Sequence, residues 1–308
     1  MTRRYGVGVG YGVMNVTEFS LDVGGGRSLD VRVAGPKDGV VLVAHHGTPS
    51  TGRPFRPYVE AAADRGLRLV TYTRPGYARS TRHLGRSVAD CAADTAHVAD
   101  HLGADRFYTM GQSGGGPHAL ACAALLPDRV IACATTAGVG PFDADGLNFL
   151  AGMAQENIDE LGAAVEGRDA LEEFLRIDAD KLRRATASDL SEALGGLVSP
   201  VDFAALTGEF AEHSMAMVHE SISTGIAGWF DDDIAFVHPW GFDLTDIRVP
   251  VTVWQGAQDR MVPFAHGEWL AAHVPGAKAR LSDDEGHLSL ILGSFPAVLD
   301  DLMAVSEV

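Results

Sequence analysis

The sequence predicts an α/β protein built on a mostly parallel, eight-stranded sheet that helices cover on both faces. Short continuous apolar runs alternate with helical patterns for most of the 308 residues, as expected of strands buried on both faces. The first two runs, 17–23 and 29–34, are instead separated by three consecutive glycines at 24–26, which favours an antiparallel hairpin. The sheet is therefore predicted to open with a hairpin and to continue in parallel.

The remaining elements follow in chain order. Further strands are predicted at 40–44, 67–72, 107–110, 130–134, 251–254 and 278–281. Helices are predicted near 58–65, 88–102, 115–126, 264–273 and 288–303. Strand followed by helix, repeated in this way, is typical of a parallel sheet.

The alternation breaks between 142 and 230, where apolar residues recur at helical spacing. We expect a helical lid of 142–230 above the carboxyl ends of the strands, inserted between core segments 1–141 and 231–308. Its acidic side chains are interpreted as solvated helix faces. Large apolar residues of this segment are candidates for a substrate pocket, although the lid's own core explains them as well: Phe142, Phe149, Met153, Trp229 and Phe230.

Composition restricts the function classes. The chain is 46% hydrophobic and 21% charged, which is ordinary for a globular protein, and it has no apolar run long enough for a membrane helix. A net charge of −17 repels phosphate backbones, so nucleic acid is not an expected partner. The Arg3-Arg4 segment lacks a cleavage site typical of a signal peptide. We expect a cytoplasmic protein, and a homodimer is compatible with the sequence.

The cysteines give no sign of a disulfide framework or a metal site. Cys91, Cys122 and Cys133 show no CxxC pair and no zinc spacing. They are interpreted as small buried residues in a reducing compartment. His97 and His101 stand four residues apart, but Val98 occupies the place where a zinc protease carries glutamate. No metal and no cofactor is therefore expected.

The most informative motif is Gly111-Gln112-Ser113-Gly114-Gly115, which stands directly after a predicted strand and before an Ala-rich helix. A G-x-S-x-G in this context places the serine on a sharp turn that exposes its hydroxyl. The backbones at 111 and 115 must approach closely, where a β-carbon would clash. Ser113 is therefore predicted to be a nucleophile.

A serine hydroxyl needs a positioned base, and the base needs an orienting acid. His287 ends the loop after strand 278–281, and Asp259 ends the turn after strand 251–254. The chain order of serine, acid and histidine at the ends of parallel strands favours this pair. Asp143 and Asp145 remain alternatives for the acid, although either could cap the first helix of the lid.

Acyl transfer also needs two N–H donors for the developing oxyanion. Gly114 offers one at the start of the helix after Ser113. Thr48 offers the second, because the turn His46-Gly47-Thr48-Pro49 follows the predicted strand 40–44.

Together these motifs resemble the α/β-hydrolase fold family, in particular its lid-bearing branch with proline-iminopeptidase-like hydrolases and esterases. The resemblance rests on 46–49, 74–80, 111–115, Asp259 and His287. It implies a serine hydrolase that acts on an ester, lactone or amide bond of a small hydrophobic molecule through an acyl-serine, without a cofactor.

The sequence also departs from one member of that branch. Proline iminopeptidases usually carry tryptophan after the nucleophile and a His-Gly-Gly-Pro-Gly loop, whereas Gly114 and the 46–49 turn stand here. A proline-iminopeptidase-like aminopeptidase is therefore an alternative rather than the first expectation. Cofactor-free perhydrolases and a small-molecule receptor that retains the hydrolase residues are further alternatives.

Overall fold

A single eight-stranded sheet organises the chain in the computed structural model, which describes residues 15–304. The Arg3-Arg4 segment lies outside the described residues. The strands are β1 Thr17–Asp22, β2 Ser28–Ala34, β3 Val40–His45, β4 Leu67–Thr73, β5 Phe107–Gln112, β6 Val130–Thr136, β7 Val251–Gly256 and β8 Lys278–Ser282. Their order across the sheet is β1-β2-β4-β3-β5-β6-β7-β8.

The direction of the strands follows the expected pattern. β2 pairs antiparallel with both β1 and β4, and every other pair is parallel. The carboxyl ends of β3, β5, β7 and β8 consequently open at the same edge of the sheet. The predicted fold class, a mostly parallel eight-stranded sheet covered by helices, is confirmed.

Helices pack on both faces of the sheet. The α-helices within residues 15–304 are α1 Arg56–Ala63, α2 Cys91–His101, α3 Gly116–Leu125, α4 Gln155–Glu166, α5 Arg168–Leu182, α6 Leu190–Ala193, α7 Pro200–Ala205, α8 Gly208–Ser221, α9 Ala227–Phe236, α10 Phe264–His273 and α11 Leu288–Ala304. Of these, α1, α3, α10 and α11 contact the strands. Leu42 of β3 packs in the core cluster of α1 and α11, whereas its neighbour Val43 packs in that of α2, α3 and α10. Side chains alternate across a strand, so the sheet has two separate apolar layers.

The helical insertion lies between β6 and β7 and contains α4 to α9. Its boundaries differ from the predicted 142–230. Turns occupy 142–154, because Gly146 and Gly152 adopt positive φ angles of 82° and 89° that interrupt a helix. At the other end α9 continues to Phe236, beyond the predicted limit.

Two further expectations from the sequence concern the burial of the cysteines and the absence of a membrane-spanning helix. Cys91, Cys122 and Cys133 are buried and unpaired, as predicted. Within residues 15–304, none of the helices combines the length and the apolar character needed to cross a bilayer.

Candidate active site

Ser113 lies at the tip of a tight turn between β5 and α3. Its φ angle of 53° falls in the left-handed region, which residues other than glycine rarely adopt. The flanking glycines are needed for close approach. A β-carbon on Gly111 would lie 2.0 Å from the carbonyl oxygen of Gly115, and one on Gly115 would lie 2.2 Å from that of His45. The predicted strand, turn and helix around Ser113 are all present.

His287 and Asp259 are brought together by the loops after β8 and β7. The imidazole Nδ1 and the Asp259 Oδ2 are 2.7 Å apart, and both side chains are buried. The carboxylate is held from its other side, since its Oδ1 accepts the N–H groups of Met261 and Val262 at 2.8 Å each. Gln255 Nε2 also donates to Oδ2 at 3.0 Å. The Asp259 carboxylate is therefore fixed in one orientation. Because its Oδ2 accepts a hydrogen bond, the imidazole of His287 must carry a proton on Nδ1.

The two alternative acids stand apart from this pair. Asp143 and Asp145 are exposed, and neither forms a hydrogen bond with His287 in the described part of the chain. Trp269 Nε1 donates to the backbone oxygen of Asp145 at 2.9 Å, so that residue takes part in the local turn.

The electrostatics of His287 follow from this pairing. Burial opposes the charged imidazolium and lowers the pKa, but the Asp259 carboxylate outweighs burial, with a smaller contribution from Asp202. The pKa of His287 is consequently raised above the ordinary histidine value. A raised pKa makes the neutral imidazole a stronger base.

Ser113 and His287 line the same cavity, which has a volume of about 220 Å³. Its walls are mainly apolar side chains from α6, α8 and α11, among them Leu190, Phe210 and Ile291, together with Phe55, which directly precedes α1. Apolar walls with a few convergent polar groups are typical of a small-molecule site.

The turn after β3 packs directly against the serine. A β-carbon on Gly47 would lie 3.3 Å from Cβ of Ser113. A β-carbon on Gly114 would lie 2.5 Å from Thr48 Oγ1 and 3.0 Å from the Phe236 ring. Thr48 and Gly114 are thus neighbours beside Ser113, and no larger residue than glycine fits at 114.

A buried ionic network, missed by the sequence analysis, holds the Thr48 turn in place. Asp232 of α9 is 0% exposed and accepts hydrogen bonds from Thr48 Oγ1 at 2.7 Å and from Arg74 Nη2 at 2.5 Å. Arg74 also donates to the backbone oxygen of Gly47 at 2.9 Å. Arg86 Nη2 and the Tyr77 hydroxyl donate to the same carboxylate at 2.6 and 2.8 Å.

Charge explains why the network is stable. Burial alone would raise the pKa of Asp232, but Arg74 and Arg86 hold it well below the ordinary aspartate range. The carboxylate therefore stays ionised and paired. Arg74 lies in the 74–80 motif, so the sequence marked it as a candidate functional residue. Asp232 belongs to no motif that the sequence analysis identified.

A second buried carboxylate is Asp202 of α7, an exception within the acidic segment whose side chains are interpreted as solvated helix faces. Asp202 is 0% exposed. It accepts the backbone N–H groups of His287 at 3.1 Å and of Ser289 at 2.9 Å. These groups start α11, so the insertion supplies the cap of the helix that follows His287. No local sequence signal linked the two.

The five predicted pocket residues divide into two groups. Phe149, Met153 and Trp229 line a second cavity of about 210 Å³, together with Ser113 and Gly114. Phe142 and Phe230 line neither of the two cavities. Phe142 packs on Phe149, with ring centroids 5.0 Å apart, and Arg168 lies over the Phe230 ring at 4.7 Å.

Within residues 15–304, no group of three or more His, Cys, Asp or Glu side chains is arranged to hold a metal ion. Asp94, which stands beside His97 and His101 in the sequence, pairs with Arg27 at 2.8 Å instead.

Several known proteins are similar to this chain over most of its length. The chain is 23% identical to the uncharacterized hydrolase YcgS of Bacillus subtilis, over 85% of this chain and 89% of that protein. It is 27% identical to a non-heme chloroperoxidase of Streptomyces lividans, over 88% and 92%. A bromoperoxidase structure from Bacillus anthracis superposes with a TM-score of 0.68 at 20% identity, covering 93% and 99%. A family model for the alpha/beta hydrolase fold matches residues 40–294, and the chain therefore belongs to the α/β-hydrolase family.

Proposed function

We propose that this protein is a serine hydrolase that cleaves an ester, lactone or amide bond of a small hydrophobic molecule through an acyl-serine intermediate. One observation carries the proposal. The His287 imidazole, held by Asp259 at 2.7 Å, lines the same apolar cavity as Ser113. Base, orienting acid and nucleophile are the parts that acyl transfer by serine requires.

The chemistry follows from these positions. His287 Nε2 takes the proton of Ser113 Oγ as that oxygen attacks the carbonyl carbon of the substrate. The backbone N–H groups of Thr48 and Gly114 stabilise the oxyanion, and each such donor contributes about 3 kcal/mol to transition-state stabilisation. The protonated His287 passes its proton to the leaving group. Water, deprotonated by the same imidazole, then attacks the acyl-serine. The bond between the acyl carbon and Ser113 Oγ breaks, His287 returns its proton to Oγ, and the acid is released.

Asp259 keeps His287 in the required state throughout. Its carboxylate accepts a hydrogen bond from Nδ1–H, which keeps that proton on Nδ1 and leaves Nε2 free to take the serine proton. It also stabilises the imidazolium that forms after proton transfer. The helical insertion acts as a lid, because α6 and α8 supply apolar walls of the cavity above Ser113.

Two measurements test the proposal. A fluorophosphonate should label Ser113, as identified by mass spectrometry, and p-nitrophenyl butyrate should be hydrolysed. Ser113→Ala should lower kcat/KM by about three to five orders of magnitude. Ser214→Ala is the matched control, because Ser214 lines the same cavity. Equal rates in Ser113→Ala and wild type would refute the mechanism, and tight ligand binding without turnover would favour a receptor.

Acyl transfer to hydrogen peroxide is a second candidate, favoured by the similarity to the protein named non-heme chloroperoxidase. Peroxide would replace water as the attacker of the acyl-serine, and a peracid would leave. Peracid release from p-nitrophenyl acetate with added peroxide, lost in Ser113→Ala, would support this activity. Unchanged release of acetate alone would exclude it.

A further inference from the structure

Ser113 lies where two cavities meet. Ser113 and Thr48 line both the cavity of about 220 Å³ and the second cavity of about 210 Å³. A substrate whose reacting carbonyl lies at Ser113 can therefore extend one end into each. The two ends meet different chemistry, because no Asp or Glu lines the first cavity within the described residues, whereas four line the second: Glu156, Glu160, Asp178 and Asp233.

Two of these carboxyl groups already have protein partners that occupy them. Glu156 Oε1 accepts the N–H of Gly196 at 2.7 Å. Asp178 Oδ1 accepts Lys181 Nζ at 2.6 Å. Neither therefore needs a ligand to complete its hydrogen bonds.

Glu160 of α4 and Asp233 of α9 differ from them, because their side chains are hydrogen-bonded to each other. Trp229 Nε1 donates to Glu160 Oε1 at 2.6 Å, which fixes that side chain on the cavity wall. Asp233 is 1% exposed, and its Oδ2 accepts no hydrogen bond from any donor group within residues 15–304. A buried carboxylate oxygen without a donor costs free energy, unless a proton or a ligand meets it.

Their electrostatics agree with two carboxyl groups that share protons. Burial raises the pKa of Glu160 to about 7. Burial and the neighbouring Glu160 also raise the pKa of Asp233 well above its usual range. A proton shared between the two carboxyl groups supplies one donor, and a bound N–H or O–H group would meet the oxygens that this proton leaves unbonded.

We propose that Glu160 and Asp233 form a recognition subsite for a substrate group that carries N–H or O–H donors, either an alcohol or a protonated amine. The apolar remainder of the substrate then occupies the first cavity. The inference rests on the proposed function only in that it places the reacting carbonyl at Ser113.

Binding to the Ser113→Ala protein tests the subsite without turnover. The probes are n-hexylamine, 1-hexanol and methyl pentyl ether, titrated at pH 8 by calorimetry. The ether matches the alcohol in atoms but has no donor. The amine or the alcohol should bind at least about ten-fold more tightly than the ether. Preference for the amine alone identifies a cationic group, and preference for both identifies a neutral donor as sufficient.

Variants connect the preference to the carboxyl pair. Glu160→Gln keeps the acceptor for Trp229 and should lower the affinity for the preferred probe about ten-fold. Asp233→Asn is the second variant, should Glu160→Gln fail to fold by circular dichroism. Glu166→Gln is the control, because Glu166 is an exposed residue of the same helix. Equal binding of all three probes, or a preference unchanged in both variants, would overturn the subsite but leave the Ser113 hydrolysis intact.

Discussion

The carboxylate of Asp202 accepts the backbone N–H of His287 at 3.1 Å, so a residue of the helical insertion holds the candidate base directly before the helix α11. The two residues are 85 positions apart in the chain. A β-carbon on Gly286 would lie 2.5 Å from the same carboxylate, which shows how closely the loop before His287 packs on it. The insertion is therefore part of the support of the candidate site as well as part of its wall.

Asp202→Ala should lower both stability and activity. The change removes the cap of α11, which costs about 1 kcal/mol in unfolding free energy, and it frees the loop that positions His287. It also removes a negative charge that raises the pKa of His287. We expect a lower kcat/KM for p-nitrophenyl butyrate and an acidic limb of the pH profile at lower pH. Urea unfolding and the pH profile measure the two effects.

Asp180→Ala is the control for Asp202→Ala. Asp180 lies in the same insertion but is exposed and pairs with Arg183 on the surface. Its removal should change the unfolding free energy by less than about 0.5 kcal/mol. A merely structural role for Asp202 would lower stability without moving the acidic limb.

Asp259→Asn should change the pH dependence of activity in a defined direction. Activity requires neutral His287, so kcat/KM falls as the pH drops below the raised pKa of that group. Loss of the carboxylate lowers this pKa and moves the acidic limb to lower pH. The maximal rate should fall by about 10³ to 10⁴, because an amide favours the wrong imidazole tautomer. Asp143→Asn should leave both quantities unchanged, and the opposite result would show that Asp143 is the acid.

The raised pKa of His287 also predicts how the stability of the protein depends on pH. Protonated His287 is stabilised in the folded protein relative to the unfolded chain, since the folded pKa is raised. This contribution is fully present below the unfolded value of about 6.5 and is lost as the pH rises through the raised folded pKa. The unfolding free energy of wild type should therefore decline relative to His287→Gln as the pH rises through that window. A constant difference would contradict the pKa direction.

The elements, and the positions of the three candidate catalytic residues relative to them, could be predicted because their signals are local. Periodicity located each strand, and the glycines around Ser113 are required by clashes within a few residues of it. Asp259 and His287 follow strands directly, so strand order alone brings them to one edge. These inferences needed no knowledge of distant contacts.

The buried carboxylates could not be predicted, because their partners are distant in sequence. Asp232 pairs with Arg74 across 158 positions. An aspartate in an acidic helical segment looks the same in sequence whether it faces water or a buried arginine. Only the tertiary packing, which places α7 against α11 and the Asp232 side chain beside Arg74, decides which aspartates are buried.

Asp232→Ala should be strongly destabilising. It leaves the buried guanidinium groups of Arg74 and Arg86 without their partner, which costs about 3 to 5 kcal/mol of unfolding free energy. The neighbouring Asp231→Ala is a matched control. Asp231 pairs with Arg82, which is 39% exposed, so its loss should cost about 1 kcal/mol or less. Equal losses in denaturant unfolding would show that the network around Thr48 contributes little.

Gly114→Ala should impair the candidate oxyanion site while the fold survives. The new β-carbon would lie 2.5 Å from Thr48 Oγ1 and 3.0 Å from the Phe236 ring, so the Thr48 turn must shift away from Ser113. Displacing one oxyanion donor lowers kcat by about 10² to 10³. Gly162→Ala in α4 is the opposite case, because its added β-carbon would meet no atom within 4 Å apart from its chain neighbours and the nearby backbone of its own helix. There the helix preference of alanine should raise stability by up to about 1 kcal/mol without changing kcat. If Gly114→Ala retained full kcat for p-nitrophenyl butyrate, Gly114 and Thr48 would not form the oxyanion site.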